Sequence, residues 1–161
     1  MIELIKAILI LAENAVDFVI IGGMAIRSHG SGYLTQDLDI CYSRESENLK
    51  RLAKALAPLN PRPRNFPDEL PFIWDDSTIR NGTNFTLQTS ICDIDLLGEV
   101  PGIGSYAEVC AESVLITVGG NKVKVLSIEG LIKAKTTAGR AKDLAGLQEL
   151  EALRQALSEE D

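Results

Sequence analysis

The chain has 161 residues, of which 45% are hydrophobic and 24% charged, and it carries a formal net charge of −7. That length suits one domain with a core that needs no staples, and the composition is that of an ordinary soluble globular protein. The acidic balance excludes a protein that coats nucleic acid nonspecifically, yet it is compatible with a local basic groove, because a field depends on where charges sit.

In chain order, the apolar residues 1–12 read as a core-facing helix, expected over 2–14. Glu3 spoils a positively charged leader, Glu13-Asn14 follows with no small-residue cleavage pattern, and the run is too short to span a bilayer. No other stretch could cross a membrane, and no membrane partner is expected. Phe18-Val19-Ile20-Ile21 reads as a short buried strand and Gly22-Gly23 as a turn. A second short helix over 24–29 ends at Gly30 and Gly32. A second strand over 38–42 carries Asp37 and Asp39 at its start. Ser43 or Ser46 is expected to cap a helix in which Leu49, Leu52, Ala53 and Leu56 recur at helical spacing.

Residues 58–71 hold five prolines and read as a loop, long enough to suggest a functional flap, with Phe72 and Trp74 expected to anchor it. Strands are expected over 85–89 and 91–97, and a short helix over 106–112. A hairpin follows over 114–126, turning at Gly119-Gly120-Asn121-Lys122. Residues 128–157 read as helical with a break at 137–139, and the stripe Leu144, Leu147, Leu150, Leu153 and Leu157 as core packing. This order predicts a mixed-sheet α/β (α+β) fold, a central sheet flanked by helices with a helical C-terminus. A single domain is expected over 1–161, with its core at about 17–127 and C-terminal helices at about 128–157. Cys41, Cys92 and Cys110 have no Cys-x-x-Cys spacing and are odd in number, so a reduced, cytoplasmic setting is the expectation.

The chemistry concentrates in two acidic elements, Asp37-Leu38-Asp39 and Asp93-Ile94-Asp95. A strand sends residues i and i+2 to one face, so Asp37 and Asp39 point together while Leu38 enters the core. Two carboxylates 4 Å apart repel by roughly 4 kcal/mol at an effective dielectric near 20, and a third raises that cost unless a cation sits among them. Hard oxygen donors without histidine or thiolate suit Mg²⁺ or Mn²⁺. The Gly22-Gly23 turn leaves room for a phosphate to approach the backbone. His29, the sole histidine, makes a Ser-His-Asp triad or a His-rich metal site a poor reading, and it is expected to be a helix-ending polar residue.

Ile21-Gly22-Gly23, thirteen intervening residues, Asp37-Leu38-Asp39 and the later Asp95 together resemble the polymerase-β-type nucleotidyltransferase superfamily. Within it the chain is similar to bacterial nucleotidyltransferase-like proteins of the abortive-infection toxin and aminoglycoside nucleotidyltransferase type. Asn84 to Glu99 and Leu131 to Leu144 also resemble that group, and the likeness spans roughly residues 17–150. It implies a nucleotidyltransferase fold and a metal site of Asp37, Asp39 and Asp95, with Asp93 the second choice for the third acid. The implied activity is Mg²⁺- or Mn²⁺-dependent transfer of a nucleoside monophosphate from an NTP to a hydroxyl, with release of pyrophosphate. The acceptor, whether RNA, protein or small molecule, stays open, as do the base and the oligomeric state. Acceptor binding in so short a chain would call on a homodimer or another protein.

One departure is Tyr33, where relatives often carry an arginine. Phosphate contacts would then fall to Lys135 and Arg140, together with Gly22 and Gly23. Lys142 and Arg27 are further candidates, and Arg62 and Arg64 could close over a nucleotide from the proline-rich loop. The alternative is a catalytically weak regulatory or toxin–antitoxin-type binding protein that keeps the fold. Were Asp95 to face away, or a salt bridge to quench the trio, only a scaffold would remain.

Overall fold

The computed structural model describes residues 1–160. Helix α1 (Ile2–Glu13) sets Leu4, Ala7, Ile8 and Leu11 on one buried stripe at the i, i+3, i+4, i+7 spacing of an amphipathic helix. Strand β1 (Phe18–Ile21) is apolar at all four positions and buried at all four, as befits a central strand covered on both faces. Helix α2 (Gly22–Ser28) follows without a connecting residue. Next come β2 (Asp37–Tyr42), α3 (Ser46–Leu56), a 3-10 turn (Ala57–Leu59), β3 (Arg62–Pro63), α4 (Asp76–Asn81), β4 (Asn84–Gln88) and β5 (Asp93–Leu97). A small ribbon of β6 (Glu99–Val100) and β7 (Gly104–Ser105) leads to α5 (Tyr106–Ala111). The hairpin β8 (Ser113–Val118) and β9 (Asn121–Leu126) precedes α6 (Ile128–Ala138) and α7 (Asp143–Glu160).

Seven strands form one mixed sheet in the order β3-β4-β5-β2-β1-β9-β8. The pairs β2–β5 and β1–β9 are parallel and the rest antiparallel. The core is built from the apolar residues of α1, β1, β2, α3 and β5, among them Ile20, Leu38, Ile40, Leu52, Ile94 and Leu96. Among the described residues no helix is long and apolar enough to cross a membrane.

Several local expectations need correction. Neither Ser43 nor Ser46 caps α3; Glu45 takes the N-cap position without a side-chain bond, and Ser43 Oγ instead accepts from the Glu45 amide at 3.3 Å. The proline-rich segment is not wholly irregular, since Arg62 and Pro63 add a two-residue edge strand to β4. Proline is tolerated there because an edge strand has one side without a ladder. The β8–β9 turn uses only Gly119 and Gly120, both at positive φ. The break between the last helices falls later than 137–139: α6 runs through Ala138, and Gly139, left-handed at φ 60°, closes it. Of the leucine stripe, Leu150 alone is fully buried, whereas Leu144 is 60% and Leu157 50% exposed. At 100° per residue Leu144 lies about 120° round the helix from Leu150.

Candidate active site

The acidic residues are placed by alternation and register. Leu38 and Ile40 of β2, like Ile94 and Leu96 of β5, turn into the core, which sends Asp37, Asp39, Asp93 and Asp95 to the other face. The parallel pairing sets Asp37 beside Asp93 and Asp39 beside Asp95. Four carboxylates thus share one patch at the same end of two central strands, and Asp95 faces the way Asp37 and Asp39 do. The β1–β2 register pairs Ile21 with Asp39, which brings the following glycine against the same carboxylate. Gly22 is left-handed at φ 67°, and a Cβ there would overlap Asp39 Oδ2. At Gly23 a Cβ would stand 2.8 Å from the Thr35 side chain. Thr35 itself donates its hydroxyl to the Asp37 carbonyl at 3.1 Å, which ties the preceding loop to the strand.

Asp39 is strongly perturbed. Burial, then the neighbouring Asp37 charge, raises its carboxyl to about 6, against the pull of Lys135, Arg64 and Lys142. Its Oδ1 is buried and has no hydrogen-bond partner. Unpartnered buried polar atoms are rare and costly in folded proteins, so this one points to a group that would bind it.

Arg64 occupies an unforeseen place. Its guanidinium reaches Asp37 at 3.6 Å and Asp93 at 3.4 Å, and it is also ion-paired with Asp95. The sequence suggested that it could close over a nucleotide from the loop; here it lies among the acids. A salt bridge quenching the whole trio would leave only a scaffold; the one present engages Asp37 and Asp95 and spares Asp39. As they stand, no three or more His, Cys, Asp or Glu side chains among the described residues are grouped to hold a metal ion. The donor set nevertheless suits a hard divalent cation: every donor is a carboxylate oxygen, and one of them is buried and unpaired.

A cleft of about 670 Å³ opens over this patch, within the range of small-molecule sites. Gly22, Gly23, Asp37, Asp39 and Asp95 line it together with Lys135, Arg140 and Lys142 of the C-terminal helices and the turn between them. Asp93 is not among the lining residues. Lys135 and Arg140 line the cleft, and both are held by Asp143, which is 1% exposed. Lys135 Nζ reaches Asp143 at 3.3 Å, while Arg140 donates through its amide at 3.2 Å and its Nε at 2.8 Å. Those bonds, Arg140 first, pull the Asp143 carboxyl down to about 2. Arg140 and Asp143 form an i, i+3 pair, and the Lys135 contact closes across the α6–α7 turn.

Other candidates are engaged elsewhere. Arg27 donates to the Tyr33 carbonyl at 3.0 Å, so it holds the loop whose Tyr33 lines the cleft. His29 Nε2 lies 2.9 Å from the Leu126 carbonyl, a structural bond between α2 and β9. Arg62 donates to the Pro67 and Leu70 carbonyls and stacks over Phe66, which meets Phe72 edge-on. Trp74 is fixed by its indole N–H on the Ala53 carbonyl at 3.0 Å. The proline-rich segment is thereby internally stapled, as its aromatic anchors suggested.

No family model matches the chain, and no curated protein matches it by sequence. Solved structures do. The solution structure of the antibiotic-resistance factor ANT(2'')-Ia aligns over 96% of this chain and 89% of its own, at 16% identity and a TM-score of 0.57. A crystal structure of ANT(2'')-Ia in complex with adenylyl-2''-tobramycin aligns over 96% and 94%, at 17% identity and a TM-score of 0.56. An antigenic nucleotidyltransferase-like protein from Paracoccidioides brasiliensis aligns over 94% and 75%, at 16% identity and a TM-score of 0.54. The chain has the fold of these nucleotidyltransferases.

Proposed function

We propose that the protein is a nucleotidyltransferase that moves a nucleoside monophosphate from an NTP to an acceptor hydroxyl and releases pyrophosphate. The observation that carries this reading is the β2–β5 register. It gathers Asp37, Asp39 and Asp95 on one wall of the cleft, beside a glycine that only a missing side chain allows to approach Asp39.

In this reading Asp37, Asp39 and Asp95 hold Mg²⁺ or Mn²⁺, and Asp39 Oδ1 gains the partner it lacks. A divalent cation bound there would neutralise phosphate charge as the bond to the leaving group lengthens. Gly22 and Gly23 leave space for the polyphosphate against the backbone, and Lys135 and Arg140, kept in place by Asp143, line the same cleft and would offset its charge. Asp95 accepts the proton of the attacking hydroxyl, since it lines the cleft and Asp93 does not. Most of the catalytic effect would then come from positioning and charge stabilisation, as in phosphoryl transfer generally.

The direct test is an isotopically labelled NTP incubated with Mn²⁺ and three acceptor classes: RNA, protein and polyhydroxylated small molecules. Aminoglycosides are the first small molecules to try, given the adenylyl-tobramycin bound by the structural neighbour. Label transfer that Asp39→Asn abolishes supports the proposal, and no transfer to any class by folded protein refutes it. Arg64 favours a second reading, in which its guanidinium stays among the acids permanently and the fold serves as a regulatory or toxin–antitoxin-type binding module. Any Asp39-dependent turnover excludes that second reading.

A further inference from the structure

Arg64 is held at its place by main chain as well as by charge. Arg62 and Pro63 pair with Gln88 and Leu87 of β4, and the Arg64 amide donates to the Thr86 carbonyl at 2.9 Å. Thr86 pairs with Asp95, and Asp95 with Asp39, so Arg64 ends a row that runs across the sheet to Asp39. Asn65, left-handed at φ 63°, turns the chain away immediately after it. Arg62 meanwhile staples the rest of the segment through carbonyls at 3.0 and 2.9 Å. The backbone is thus fixed while the Arg64 side chain, 22% exposed, spans three carboxylates. A planar guanidinium with five donors suits such a multi-carboxylate contact, which a lysine ammonium could not reproduce.

We propose that Arg64 is a tethered counter-cation of the acidic patch, and that it and a divalent cation occupy the patch in alternation. The inference rests on the metal-site reading above and adds a control to it. Three acids share the single positive charge of the chain's own cation until a metal ion displaces it, and Arg64 leaves by a side-chain movement with β3 still paired. The apparent metal affinity is then the intrinsic affinity reduced by the fraction of molecules in which Arg64 has swung out.

The test is calorimetric titration with Mn²⁺ alone at pH 8, on the full chain and on the variants Arg64→Gln, Arg64→Lys and Arg62→Gln. With Arg64 in the patch more than nine-tenths of the time, Arg64→Gln binds Mn²⁺ at least about ten-fold more tightly. Arg64→Lys falls between it and the unaltered chain. Arg62→Gln, which removes the same charge from the same segment without touching the acids, stays within about three-fold, the scale of a screened remote charge. Melting supplies a second readout: Arg64→Gln melts lower than the unaltered chain in EDTA and recovers with Mn²⁺, because only the metal then separates the carboxylates. Equal Mn²⁺ affinity in Arg64→Gln and the unaltered chain overturns the inference, and so does an equal gain in Arg62→Gln. If none of the four proteins binds Mn²⁺, the metal-site reading itself falls, a result distinct from either of those.

Discussion

Asp39→Asn separates stability from chemistry, and the two are expected to move in opposite directions. A carboxyl whose folded-state value stands at about 6 instead of 3.8 disfavours the folded, ionised form by roughly 3 kcal/mol at neutral pH. The sign follows from linkage. Because the folded value is raised, the contribution of Asp39 is whole below about pH 4 and is lost as pH rises through about 6. In EDTA at pH 8 the asparagine variant is therefore expected to be more stable than the parent by up to roughly 3 kcal/mol, and at pH 4 the two are expected to match. For a domain of this size the gain at pH 8 corresponds to roughly 6–12 °C in melting temperature. Urea unfolding in EDTA at both pH values measures it. Saturating Mn²⁺ should reverse the order, since the parent gains a ligand that the variant binds poorly. Nucleotide transfer should vanish in the variant throughout. A variant no more stable than the parent at pH 8, or one with the same gain at both pH values, would refute the account of Asp39 as a strained, cation-seeking acid.

Gly22→Ala should abolish transfer and lower the melting temperature, because a left-handed alanine costs about 1–2 kcal/mol and its Cβ displaces Asp39; retained transfer would refute the close-approach argument. Asp143→Asn leaves Lys135 and Arg140 without their shared partner and should cost about 3 kcal/mol at pH 7 by urea unfolding. With its carboxyl lowered to about 2, the contribution of Asp143 is present above about pH 4 and is lost as pH falls through about 2, so acid titration of the parent should show a loss that the variant lacks. Leu150→Ala should cost about 2–5 kcal/mol and Leu144→Ala less than about 0.5, a contrast that chemical denaturation resolves.

The Asp37–Asp39 part of the acidic patch was legible because it rests on a short-range rule, whereas Asp95 came only from the family resemblance, since the β2–β5 register is long-range. Alternation alone puts Asp37 and Asp39 together, and the apolar character of Phe18 to Ile21 marks a buried strand; the expected glycine turn after it is instead the start of α2, which begins at Gly22. Arg64 was not legible, since its position depends on Arg62 and Pro63 joining the edge of β4, and five prolines conceal a two-residue strand. The two-sided grip of Asp143 was half legible. Arg140 lies three residues before it, whereas Lys135 reaches it only after Gly139 reverses the chain. The leucine stripe misled for a geometric reason: a three-residue step drifts round the helix, so Leu144 points to solvent even though its spacing looks regular.

The parallel partnership of β2 with β5 bears on how the molecule assembles. No hairpin can join two such strands, so the whole chain between Asp39 and Asp95 must loop out before they meet. That closure drives like charges toward one another, an uphill encounter for an unfolded acidic polypeptide. Arg64 belongs to the very span that loops out, and it arrives with β3 on the flank of the same sheet. The excursion that creates the repulsion thus also delivers its remedy, and a fragment ending before β5 would carry half the acids with nothing to assemble them against.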